Sequence, residues 1–149
     1  MDADEYEIVD RAPELADYLA LRRASGLSPK VEAQGRGAIE HSWFFCHVRH
    51  RASGDTVAMG RIIGDGGWYF HIADMATLPA HQRRGIGRAV LGRLLDEVAA
   101  RAPANPYVTL MADPPGRRMY ASMGFRDAHP SLGMVFDPSA VSPPAGTNP

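Results

Sequence analysis

Thiols are nearly missing from this chain. Cys46 is the single cysteine in 149 residues, which excludes an intramolecular disulfide framework and any zinc site built on several thiolates. A charge surplus is missing too: 16 basic residues meet 17 acidic ones for a formal net charge of -1, so there is no overall basic footprint for nucleic acid. No apolar run approaches the roughly 18 residues that a membrane span needs. The opening Met1-Asp2-Ala3-Asp4-Glu5 has neither the basic nor the apolar region of a secretory signal. These absences make a reducing cytoplasm the expected compartment, with no nucleic-acid or membrane partner. Of the 16 basic residues only Lys30 is a lysine, and no Gly-Lys pair occurs, so a P-loop is excluded.

What is present reads as one α/β domain over residues 1–136. Tyr6 to Val9 alternates like a short strand. Pro13 opens a helix with Leu15, Tyr18 and Leu19 at helical spacing, and Gly26 to Pro29 breaks it. Val31 to Glu40 suggests a second helix, weakened by Gly35 and Gly37. Strands are expected over Ser42 to His50, Thr56 to Ile63 and Trp68 to Leu78, with a hairpin loop over Arg51 to Asp55 and a tight turn over Gly64 to Gly67. A helix over Arg88 to Ala102 carries Val90, Leu94 and Val98 on one face, with Arg93, Asp96 and Glu97 on the wetter side. A strand over Tyr107 to Ala112, a helix opened by Pro114-Pro115 and a last strand over Leu132 to Phe136 complete the order. From Asp137 the Pro- and Ser-rich stretch offers too little apolar surface to offset its ordering entropy, so residues 137–149 are expected to be a disordered tail.

The densest signal is Gln82-Arg83-Arg84-Gly85-Ile86-Gly87, placed after an expected strand and before an expected helix. N–H groups in the first turn of a helix lack intrahelical partners and carry the positive end of the helix dipole, so an anion fits there. Gly85 and Gly87 allow close approach of a diphosphate, and Arg83, Arg84 and Arg88 add positive potential. A dinucleotide fingerprint would need a small residue where Val90 stands, and Asp113 comes late for its ribose partner.

The same hexapeptide matches Q/R-x-x-G-x-G/A, and in this it resembles the acyl-coenzyme A cradle of the GNAT superfamily of N-acetyltransferases. Downstream, Leu110-Met111-Ala112-Asp113 followed by Tyr120, Gly124 and Phe125 is similar to the superfamily's second signature. The resemblance implies a mixed, mostly antiparallel and centrally splayed sheet flanked by helices. It also implies acetyl-coenzyme A as cosubstrate, transfer to a primary amine by direct attack in a ternary complex, and Tyr120 as general acid. Met75, Ala76 and Thr77 would line the cofactor arm, the N–H of Met75 would polarise the thioester carbonyl, and the cradle residues from Gln82 to Arg88 would take the diphosphate. Asp74 and the Ala112-Asp113 pair look like those of serotonin-type and other arylalkylamine acetyltransferases, and a cleft lined by acidic groups such as Asp74 would favour small cationic amines, so an arylalkylamine or a polyamine is the acceptor expected. Asp113 stands where many members carry an asparagine that contacts the cofactor, and Gly116 where alanine is common.

The residues leave several roles open. A phenol has a reference pKa near 10, so Tyr120 would be protonated at neutral pH and able to donate. Asp74, in an otherwise apolar strand, is either a base or ion-pair partner for the acceptor amine, or a structural carboxylate held by backbone or arginine. His71 is a weaker candidate base, expected to face opposite Asp74 on an alternating strand. Asp113 is a candidate helix cap. Cys46 reads as a buried strand thiol, and His41, His47 and His50 form no metal-ligand pattern, so no metal is expected. Trp43, Phe44, Phe45, Trp68, Tyr69 and Phe70 divide between core and acceptor pocket. A protein or peptide acceptor and a non-catalytic acyl-coenzyme A sensor are the rival functions. Oligomeric state is open, a homodimer being the commonest arrangement in general.

Overall fold

The computed structural model describes residues 1–137. The chain divides into two compact units, Met1–Met111 and Ala112–Pro149. The first contains β1 (Tyr6–Val9), α1 (Leu15–Ala24), α2 (Glu32–Glu40), β2 (Phe44–His50), β3 (Thr56–Gly64), β4 (Tyr69–Thr77), α3 (Ile86–Arg101) and β5 (Tyr107–Leu110). Five strands form one sheet in the order β1-β2-β3-β4-β5. The first three pairings are antiparallel, and β4 pairs with β5 in parallel through Tyr69↔Tyr107 to Ile72↔Leu110. Beyond Ile72 the strand β4 runs on with no β5 partner, and this open length carries Asp74 to Thr77.

Each face of the sheet is covered by helix. Tyr18, Leu19 and Leu21 of α1 pack on Phe45, Met59 and Ala76, with Leu15 and Ile39 at the margin. On the other face α3 buries Ile86, Val90, Leu91, Leu94 and Val98. Gly60 makes that approach close, since a Cβ there would come within 2.7 Å of both Met75 Sδ and Val90 Cγ1. Glu97 was expected on the wet side of α3 but is buried, because Arg93 and Arg101, one turn away on either side, each reach it at 2.6 Å. No helix among the described residues is long and apolar enough to cross a membrane.

The second unit contributes α4 (Arg117–Ser122) to the described residues. The helix begins later than Pro114-Pro115 suggest, after a turn in which Gly116 N–H donates to the Asp113 carbonyl at 3.0 Å. The expected strand Leu132 to Phe136 does not form: its side chains are exposed and no ladder partner takes its main-chain groups. Of the expected tail only Asp137 lies within the described residues.

Candidate active site

Two irregularities at the end of β4 build the site. The register passes from Arg61↔Ala73 to Met59↔Ala76, so Asp74 and Met75 stand opposite the single residue Gly60. This is a β-bulge, and Asp74 takes the left-handed conformation at φ 53° that a short polar side chain tolerates. After Thr77 the chain makes one 3-10 turn, Pro79–His81, and then the expected cradle. Arg83 is left-handed at φ 64° and Gly85 at φ 77°, and Gly85 is the residue from which α3 starts. The first helical bond is Ala89 N–H to the Gly85 carbonyl at 3.0 Å, so the N–H groups of Ile86 and Gly87 precede the ladder. Arg83, Arg84 and Arg88 are exposed there, so main-chain N–H groups outside the helical ladder and guanidinium charge lie side by side, a combination suited to an anion.

Several residues expected at the cofactor site commit their side chains to the scaffold. Ile86 and Ala76 bury their side chains in the core. Gln82 is exposed and donates its side-chain amide to the Thr77 carbonyl at 3.1 Å, tying the cradle to the end of β4. Arg84 pairs with Glu5 at 2.8 Å. Arg93 is spent elsewhere, on Asp10 at 2.8 Å and on Glu97, so it adds nothing to the cradle.

The bulge also turns Asp74 toward α1, and there it is saturated. Its Oδ2 accepts from Tyr18 Oη at 2.6 Å and from Arg61 Nε at 2.6 Å, while Oδ1 accepts from Arg22 Nη1. Arg22 is itself fixed by the Ser28 carbonyl at 3.0 Å, and Arg61 Nη1 by Ser42 Oγ at 3.2 Å. Burial by itself would raise the Asp74 pKa. The Tyr18 hydrogen bond and the charges of Arg61 and Arg22 more than offset it, leaving the carboxyl below its ordinary value. A carboxylate with three donors and a lowered pKa is a poor proton acceptor, and the geometry is that of the structural carboxylate.

His71 was expected to face away from Asp74, and the bulge reverses that. Arg61 is paired with Ala73, two residues from His71 and hence on its face, and Asp74 reaches this same Arg61 across the irregular register. The His71 imidazole is half-buried, with Nδ1 2.9 Å from Thr109 Oγ1. Burial, then the positive charge of Arg61, lowers its pKa and keeps the ring neutral. Thr109 Oγ1 also lies 3.4 Å from the Phe70 carbonyl, which can only accept. Thr109 Oγ1 is equally 3.4 Å from Tyr69 Oη, and in the tautomer whose Nδ1–H donates to Oγ1 the ring's acceptor is Nε2.

Tyr120, on α4, keeps its proton: burial raises its pKa, and Asp113 adds to the rise. Its ring lies over Gly116, where a Cβ would come within 2.6 Å of Cε2 and 3.3 Å of Oη, which accounts for glycine at this position. Phe125 packs edge-on against it with centroids 6.2 Å apart. The expected Asp113 cap is not made, since α4 has Gly116 at its N-cap and no side-chain cap.

Other candidates resolve simply. Cys46 is fully buried, and burial pushes its thiol up to about 12. His47 is buried with Nδ1 2.8 Å from the Arg11 carbonyl. Phe45 and Phe70 are core, whereas Trp68 and Tyr69 are exposed and cluster with Tyr107. Sequence reading missed Tyr18, Arg22 and Arg61. An arginine inside the apolar stretch Thr56–Gly64 was a usable signal, as was a tyrosine and an arginine four apart on the buried face of α1.

Comparison with known proteins agrees with this geometry. The family profile described as Acetyltransferase (GNAT) domain matches residues 31–133. The chain is 29% identical over 114 residues to GCN5-related N-acetyltransferase 1, chloroplastic, of Arabidopsis thaliana, covering 76% of this chain and 57% of that protein. It is 32% identical over 115 residues to Serotonin N-acetyltransferase 2, chloroplastic, of Oryza sativa subsp. japonica, covering 74% and 56%. The chain therefore spans little more than half the length of these relatives. A protein of unknown function from Meticillin-Resistant Staphylococcus aureus, described as a probable acetyltransferase, superposes with TM-score 0.82 at 29% identity over 89% of this chain and 98% of that one. A GNAT family acetyltransferase from Streptococcus pneumoniae TIGR4 gives TM-score 0.73 at 25% identity over 89% and 97%. The chain belongs to the GNAT acetyltransferase family, and its mixed sheet flanked by helices is the fold of that family.

Proposed function

We propose that the chain transfers an acetyl group from acetyl-coenzyme A to the primary amine of a small molecule, by direct attack in a ternary complex. The observation that carries this reading is the joint presence of the left-handed Gly85 turn into α3 and the bulged end of β4, which pairs with β3 but has no β5 partner. The first offers unladdered N–H groups and arginines to a diphosphate, and the second offers main chain of Met75 and Thr77 to an extended amide-bearing arm. The Thr77 carbonyl already holds Gln82, so Met75 is the better-placed of the two for pairing.

In the reaction the amine nitrogen attacks the thioester carbonyl carbon, the C–N bond forms, and the C–S bond breaks as the tetrahedral intermediate collapses. The amine proton passes to His71 Nε2, directly or through water, and the Tyr120 hydroxyl supplies the proton that the departing thiolate takes. Asp74 holds Arg61 and Arg22 in place and does not itself accept a proton. The products are an N-acetylated amine and coenzyme A. The rice relative's name makes an arylalkylamine one acceptor class to include. Polyamines lose their rationale, because the carboxylate thought to attract them is neutralised by two arginines.

The test is release of free coenzyme A thiol from acetyl-coenzyme A across arylalkylamines, amino acids, amino sugars and polyamines. Turnover with a small amine is expected. Tight acetyl-coenzyme A binding with no release for any amine would sink the reading.

A further inference from the structure

Resting on the acetyl-transfer reading above, we propose that the acceptor amine carries an anionic group, a carboxylate or a phosphate, which Arg61 binds while His71 receives the amine. The charges on the α1 side of β3 and β4 point to this. Arg22 and Arg61 face the single carboxylate of Asp74, so the group as a whole keeps one positive charge. The neighbouring side chains that bond to it, Tyr18, Ser28 and Ser42, are neutral. His71 stands beside it as a neutral ring. The other carboxylate near this layer, Asp17, is turned to Thr56 Oγ1 at 2.8 Å, at the opposite end of β3.

The two arginines differ in what they have left to offer. Arg22 is 5% exposed and each of its three nitrogens has a partner, Asp74 at Nη1 and Ser28 at Nε and Nη2. Arg61 uses Nε on Asp74 and Nη1 on Ser42, and among the described residues no hydrogen-bond acceptor takes its Nη2. Among the described residues no fully buried side-chain nitrogen or oxygen lacks a hydrogen bond, so neither Arg61 Nη2 nor His71 Nε2 is sealed in the interior. A cationic donor and a neutral acceptor thus open on the same face of adjacent strands. Arg61 pairs with Ala73 and His71 with Ile63, which makes Arg61 and His71 diagonal neighbours, about 7–8 Å apart at the backbone.

A small molecule with an amine and an anion meets both groups at once. The surplus positive charge repels a second ammonium, which counts against polyamines. It also disfavours the ammonium form of the bound amine, the form that cannot attack. Arginine suits the anion because its planar fork can hold Asp74 through one edge and present the remaining N–H groups to a second oxygen anion.

Two matched pairs of amines test the proposal and separate the two anions: tryptophan against tryptamine, and O-phosphoethanolamine against ethanolamine. The readout is kcat/KM from thiol release with the full chain. The anion-bearing member of at least one pair should be favoured tenfold or more. Arg61→Gln should bring that ratio near unity, and Arg61→Lys should keep part of it, with thermal melts checking that both variants fold. Equal or reversed preference in both pairs overturns the proposal while acetyl transfer stands. A preference that survives Arg61→Gln overturns the assignment to Arg61. No release with any of the four amines while another amine of the wider panel turns over overturns this inference and leaves acetyl transfer standing, whereas no release with any amine of either set, despite bound acetyl-coenzyme A, overturns both.

Discussion

Arg61 Nε and Asp74 Oδ2 stand 2.6 Å apart at the one place where the β3–β4 ladder falls out of step. The bulge that shifts the register is what lets a β4 carboxylate reach α1 and β3 together, so the fold's irregularity and its buried charges have one origin. Removing the carboxylate leaves two largely buried guanidinium groups without their counter-ion. Breaking such a pair from one side typically costs about 3–5 kcal/mol. Asp74→Asn should therefore lower the urea midpoint substantially. If it remains folded, the acidic limb of its kcat/KM profile should persist, since the proton goes to His71. An unchanged midpoint with a lost acidic limb would restore Asp74 as the base.

Tyr120 is argued from its retained proton and its seat over Gly116. Tyr120→Phe removes only the donor, so kcat should fall by at least tenfold while acetyl-coenzyme A affinity changes little. Gly116→Ala should lower kcat by a smaller factor, because a methyl group 2.6 Å from Cε2 must push the ring aside. Isothermal titration with coenzyme A alongside turnover separates the two effects. A Tyr120→Phe enzyme with wild-type kcat removes the phenol from the mechanism.

The order of elements was legible in the sequence because helical and alternating periodicities are local. Tyr6–Val9 matched residue for residue, and α1, α2, β2, β3 and β4 shifted by only one or two positions. The cradle was legible too, since a glycine-bearing turn before a helix is a contiguous motif. The Asp74 cluster was not. Its members come from α1, β3 and β4, separated by up to 56 residues, and the bulge that joins them falls on Asp74 and Met75, with only Gly60 in the facing strand to hint at it. The same bulge made alternation give the wrong face for His71. The strand expected over Leu132 to Phe136 failed for a related reason: a short apolar run offers a strand, but a partner edge must accept it.

Cys46 provides a test of the core. It is fully buried on β2 and its thiol is pushed up to about 12, so almost none is thiolate at neutral pH. Ellman's reagent should label less than a tenth of the protein in native buffer within an hour, and one thiol per chain in denaturant. Rapid labelling of the native protein would mean that this part of the sheet opens readily.

His47 sets an expected loss of stability in mild acid. Burial lowers its pKa, partly offset by the hydrogen bond to the Arg11 carbonyl, so the folded chain holds it neutral at pH values where the unfolded chain protonates it. The unfolded state therefore binds more protons between the lowered folded value and the reference value near 6.5, and stability rises with pH across that window. His47 contributes its full share above about pH 6.5. That share is lost progressively as the pH falls toward the folded value. The side-chain titration followed by NMR should show a midpoint below 6.5, and the melting temperature should drop between pH 7.5 and 5.5. A midpoint at or above 6.5 would mean that His47 carries its charge inside the fold, and the acid sensitivity would then have to come from other groups.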